Sequence, residues 1–131
     1  MNKLAYPKKY IKYMLFYIVF AHPVPVIYAY INKYYITSII NLFLMFTSLV
    51  YWQNPVLTSN RRYTDITMCA IAGSHHLIQF PQYIPIYMFG SSMYCVSSIF
   101  HMYEMYILSI ISHCSIHFII SIAAIMAYNF N

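Results

Sequence analysis

Residues Ile107 to Tyr128 form a run of 22 without Asp, Glu, Lys, Arg, Pro or Gly. About 20 apolar residues of helix cross the hydrocarbon core of a bilayer. A chain in lipid must satisfy its own backbone hydrogen bonds, and an unbroken helix does so. The run therefore predicts a membrane-spanning helix. It carries His113 and His117. Four residues apart, they share one face about one turn from each other. Ionisable side chains inside a span face the bundle interior and mark a functional site.

The rest of the chain fits the same solvent. It is 62% hydrophobic and 7% charged, against roughly 25% charged in soluble domains. Such a chain lacks the polar surface to coat itself in water, so several spans are expected. The net charge of +5 comes from Lys3, Lys8, Lys9, Lys12, Lys33, Arg61 and Arg62 against Asp65 and Glu104. No block is dense enough to line a nucleic-acid groove, which sets that class aside. The basic residues serve better as topology signals. Cys69, Cys95 and Cys114 have no CxxC spacing and read as small buried hydrophobes.

In chain order, the pattern predicts an all-α, multi-pass transmembrane helical bundle of about five spans: 13–31, 35–52, 64–80, 86–103 and 107–128, in one domain. His22, Pro23 and Pro25 interrupt the first span, because each proline removes a backbone donor. His22 is placed to satisfy the carbonyls so freed or to hydrogen-bond a neighbouring helix, and a four-span bundle follows if this segment only dips into the membrane. In the second span Thr37, Asn41, Ser48 and Trp52 fall on one arc facing inward, and Tyr51 suits the headgroup belt. Asn54-Pro55 and Ser59-Asn60 mark a loop. The N-terminal lysines and the Arg61–Arg62 pair share the cytoplasmic side. Thr64 can cap the third span, with Asp65 in its first turn as a helix-end partner or a mate for Arg61 or Arg62. Asp65, Cys69, Ala72 and His76 share one face of that helix, and His75 points away from it. Pro81 to Pro85 form the next turn. Ser91, Cys95 and Ser98 give the fourth span a small-residue packing face.

On this topology Ser48, Trp52, Asp65, His101 and His113 lie in one half of the bilayer, with His117 and then His76 deeper. Neutral imidazoles four apart on a helix can act as paired metal ligands, and a carboxylate can orient them. His76 or His101 can supply a third imidazole. The order Ser48-x3-Trp52, Asp65, His113-x3-His117 resembles the CREST superfamily of membrane hydrolases, which includes the alkaline ceramidases and adiponectin/progestin-type receptors. That family carries Ser-x3-His in its second span, Asp at the start of the third and His-x3-His in the last, and usually has seven spans. Trp52 stands where the family has its first zinc histidine. The resemblance implies a zinc ion on His113 and His117, whose activated water attacks a lipid amide. Asp65 would hold the water, with Ser48 beside it.

Three functions are compatible with these residues. The first is a scaffold or assembly subunit of a membrane complex in the endoplasmic reticulum, an organelle or a viral inner membrane. Its partners would be the lipid bilayer and other membrane subunits, with 16 tyrosines and nine methionines as packing and interface anchors. The second is a zinc-dependent lipid-amide hydrolase using Asp65, Ser48, His113, His117 and His76. The third is a membrane anchor that holds haem between His75 or His76 and His113 or His117.

Overall fold

The computed structural model describes residues 4–130, the side chain of Phe130 excepted, so Lys3 lies outside the described residues. Six helices account for nearly all of them: α1 (Lys8–Ala21), α2 (Pro23–Ile31), α3 (Tyr35–Trp52), α4 (Asn60–Gln79), α5 (Ile84–Met102) and α6 (Tyr106–Phe130), with a 3-10 turn at Pro81–Tyr83. The fold is all-helical. Three stretches are long and apolar enough to cross a membrane: Lys8–Ile31, Tyr35–Trp52 and Tyr106–Asn129. The helices α4 and α5 have the length but not the apolarity, because α4 carries Arg61, Arg62, Asp65, His75 and His76.

The prolines bend the first span without ending it. Pro23 and Pro25 divide α1 from α2, but His22 between them keeps helical angles (φ −64°, ψ −31°). A proline at the first helical position loses only a donor that would be orphaned there anyway. The expectation that His22 covers the freed carbonyls is corrected: Pro23 and Pro25 free the carbonyls of Val19 and Ala21, and His22 Nε2 bonds neither. The imidazole of His22 turns instead toward α6.

Two of the turns use the same device. The chain leaves α2 with Lys33 at φ 65° and leaves α5 with Glu104 at φ 57°. At the first, Lys33 N–H donates to Tyr30 O (3.0 Å) and Tyr34 N–H to Ala29 O (2.8 Å). At the second, Glu104 N–H donates to His101 O (3.1 Å) and Met105 N–H to Phe100 O (2.9 Å). Both are Schellman caps, a form that favours glycine at the left-handed position. Here a lysine and a glutamate occupy it, and each meets a left-handed cost of about 1–2 kcal/mol.

The start of α4 corrects the expected boundary. The helix begins at Asn60, and Ser59 is its N-cap, accepting from Arg62 N–H at 3.3 Å. Thr64 lies inside the helix and donates to Asn60 O. Asp65 is therefore in the second turn, and Arg62 reaches the Leu57 carbonyl at 2.7 Å.

The helix pair α1–α2 packs on α3 and α6, α3 packs on α4, and α5 packs on α6. Two apolar cores result. One gathers Tyr6, Met14, Ile18, Tyr51, Trp52 and Ile110 near the start of α1. The other gathers Ala29, Phe80, Ala124, Ala127 and Tyr128 near the far end. Tyr51, expected in the headgroup belt, is buried in the first core beside Trp52. The outside of the bundle is apolar: Ile78, Ile36, Phe16 and Met102 are 82%, 70%, 67% and 79% exposed. So many uncovered large apolar side chains are compatible with a membrane-embedded bundle.

The small-residue face of α5 lies one residue from the expected one. Ser91 and Cys95 are exposed, whereas Gly90 and Ser97 are buried against α6. One residue is about 100° of helix rotation, so the Ser/Cys periodicity located the stripe but not its direction. A Cβ added at Gly90 would stand 3.1 Å from Ile120 Cγ1 and 3.3 Å from Ile119 Cγ2. Ser97 and Ser109 exchange hydroxyl-to-carbonyl hydrogen bonds, each 2.9 Å.

Candidate functional site

The polar residues of α3 and α4 face each other in three rungs. Ser48 donates to Asp65 Oδ1 at 2.6 Å, and Thr47 approaches the same oxygen at 3.4 Å. Asn41 meets His76 at 3.2 Å. Thr37 bonds His75 Nε2 at 2.9 Å and donates to Gln79 at 3.0 Å. The inward arc Thr37, Asn41 and Ser48 and the face Asp65, Ala72 and His76 are thus buried together. Two details differ. His75 also joins the seam, because its ring reaches round to Thr37. Cys69 is exposed.

His76 has every polar position used. Its Nε2–H donates to Asn41 Oδ1, and its Nδ1 accepts from Tyr87 on α5 at 3.3 Å. The Asn41 amide donates to Tyr128 on α6 at 3.1 Å. This bonding fixes a neutral tautomer. One histidine therefore ties four helices together.

The other imidazoles form a separate group. His113 and His117 lie with Nε2 atoms 3.3 Å apart. His22 packs on His117 with ring centroids at 4.8 Å. Trp52 packs on His113 at 5.6 Å, and Tyr17 lies 6.1 Å from both His22 and His117. The inward orientation expected of the α6 pair is therefore realised. A shared centre with Ser48 and Asp65 is not formed by any bond: the carboxylate is engaged by α3, and the α6 pair is engaged by His22 and Trp52.

The fit to a metal can be judged from the donors. Two ligands of a tetrahedral zinc with bonds of ~2.0–2.1 Å stand about 3.3–3.4 Å apart. The His113–His117 spacing matches that. A catalytic zinc takes three protein ligands, and here Trp52 occupies the side of His113, while His76 bonds to Asn41, Tyr87 and Tyr128. Among the described residues no group of three or more His, Cys, Asp or Glu side chains is arranged to hold a metal ion. Haem fits less well. The cavity between His117 and His76 is about 50 Å³, far too small for a macrocycle unless the helices part.

Sequence reasoning gave His22 a backbone role or a hydrogen bond to a neighbouring helix, without saying which helix. Its proximity to Pro23 was legible, but its partner His117 lies 95 positions away. The side of the bundle near the start of α1 has its own polar contacts. Tyr6 OH bonds Ser109 at 2.8 Å, and His101 Nε2 donates to the Ala5 carbonyl. Burial raises the Tyr6 phenol above its usual range, with the Ser109 bond opposing, so the phenol keeps its proton at neutral pH. Cys114, expected as a small hydrophobe, rests against Met14 with sulfurs 3.5 Å apart.

No family model matches the chain, and neither the curated proteins nor the solved structures include a similar one.

Proposed function

We propose that the protein is a small multi-pass integral membrane protein that serves as a scaffold or assembly subunit of a larger membrane complex. The observation that carries this reading is the use made of the polar residues. Asp65, His75, His76 and His101 are each engaged by side chains or carbonyls of other segments, while the exterior is aromatic and aliphatic. Interhelix hydrogen bonds of this kind are worth about 0.6–1.7 kcal/mol each in a membrane. They fix a shape rather than supply a reactive group. The uncovered Phe, Tyr, Ile and Met side chains then offer surface to lipid and to neighbouring subunits.

On this reading α4 and α5 also cross the bilayer, shielded in part by the assembly, and complete a five-span bundle. The N-terminus and the Arg61–Arg62 loop share the cytoplasmic side. Gentle-detergent extraction followed by native mass spectrometry tests the proposal. Co-elution with other membrane subunits at fixed stoichiometry is the expected result, with melting unchanged by chelators. A lone chain carrying about one zinc per molecule, lost in the His113→Ala and His117→Ala variants, would overturn it in favour of the hydrolase.

A further inference from the structure

Two buried polar atoms among the described residues have no hydrogen-bond partner: Tyr17 OH and His22 Nε2. Both side chains pack on His117. A buried polar atom left unpaired loses its hydration without compensation, and folded proteins supply such atoms with a partner. Beside His22 lies the cavity of about 50 Å³, lined also by Asn41, His76, His117 and Ser121 among others. A water needs about 10–15 Å³ of such space and two to four polar neighbours. The cavity has room for a few.

The cavity also closes a gap. On α6 the residues Ser109, His113, His117, Ser121 and Tyr128 recur at helical spacing and cover about 28 Å of rise, close to the ~30 Å of a hydrocarbon core. At one end, Ser109 holds Tyr6, which lines an open cavity of about 390 Å³ with His101 and Glu104. In the middle, the His113–His117 pair touches His22. Across the small cavity stands His76, bonded to Asn41 and Tyr87. Beyond it, His75, Thr37 and the exposed Gln79 reach the far end.

We propose that water in this cavity joins the two histidine groups into one file that carries protons through the bundle. Each imidazole takes a proton on one ring nitrogen and releases one from the other; at His76, whose nitrogens hold Asn41 and Tyr87, a cavity water displaces Asn41 from Nε2 for the transfer, and rotation of rings and waters resets the file. One proton enters as one leaves, so nothing is oxidised or reduced. Histidine chains in membrane spans serve as proton relays elsewhere. The groups facing the file are Tyr17 on α1, Trp52 on α3, Tyr87 and Tyr94 on α5 and Tyr128 on α6. Asp65 is turned aside to Ser48. Among the described residues the other carboxylate, Glu104, lines the open cavity with His101 at the Tyr6 end.

The test is proton uptake into phosphatidylcholine–phosphatidylglycerol vesicles containing the full chain. A trapped pH dye reports flux, and a potassium gradient with valinomycin balances charge. Flux above that of protein-free vesicles is expected, falling to that background in His22→Phe and His117→Phe. Phe118→Leu, which faces outward, should keep the wild-type rate. Circular dichroism checks that each variant is helical. If His117→Phe fails to fold, His117→Gln replaces it: the amide keeps hydrogen bonds but takes up no proton, so the same loss is expected. Wild-type flux no faster than empty vesicles, or undiminished flux in a folded His117 variant, would overturn the proposal. Subunit partners found or not found by mass spectrometry leave this outcome unaffected.

Discussion

The α3–α4 contact and the α5–α6 contact solve one problem in two ways. In lipid, apolar side chains gain little by leaving the solvent for each other, so helices associate through close packing or hydrogen bonds. The α3–α4 pair uses long polar side chains: Ser48 to Asp65, Asn41 to His76 and Thr37 to His75. The α5–α6 pair uses small ones: Gly90 under Ile119 and Ile120, and Ser97 against Ser109. A polar seam tolerates spacing errors because side chains can reach. A small-residue contact does not, since the backbones themselves meet. The two contacts should therefore fail differently.

Gly90→Val tests this most severely. Its Cβ and methyls would meet Ile119 and Ile120 on arrival, and overpacking of this kind costs about 1–3 kcal/mol. Unfolding by denaturing detergent should show a loss near the top of that range, and an unchanged midpoint would show that α5 and α6 can slide apart freely. Ser48→Ala comes next. It strips the buried Asp65 of its closest partner, for a loss of about 1–2 kcal/mol; a loss below that would mean that Thr47 alone suffices. Asn41→Leu removes two bonds of the His76 network, but the seam keeps its other rungs, so about 1 kcal/mol is expected. Should it prove as costly as Gly90→Val, the seam would be the stiffer contact and the comparison would reverse.

The smallest effect has the opposite sign. Lys33→Gly and Glu104→Gly each relieve a left-handed residue and should stabilise by about 0.5–1 kcal/mol after glycine's extra unfolded entropy is counted. Equal gains at both turns would show that the α5–α6 connection is no more strained than the α2–α3 one. A gain at Lys33 alone would mean that α5–α6 is pinned by its own packing.

Much of the architecture is legible in the chain. The charge-free run from Ile107 to Tyr128 makes α6, and the arc of Thr37, Asn41 and Ser48 marks the inner side of α3. The face from Asp65 through Ala72 to His76 marks the inner side of α4. These features depend on hydropathy and on the 3.6-residue period, which are local. The start of α4 was misjudged because Ser59 and Thr64 are both capping residue types, and only the backbone direction at Ser59 chooses between them. The packing face of α5 was displaced by one residue because serines at 91, 97 and 98 fit two stripes equally well.

The sequence by itself determined a chain suited to a membrane: few charges, many large apolar side chains and an apolar run long enough to cross one without a break. It also determined that His113 and His117 would share a face. Only the tertiary structure decided their company. A histidine's partner is set by how neighbouring helices are rotated and how deep they sit, and neither quantity is written in any one helix. So Asp65 went to Ser48, His76 to Asn41 and Tyr87, and His22, from a proline bend near the N-terminus, came to lie on His117.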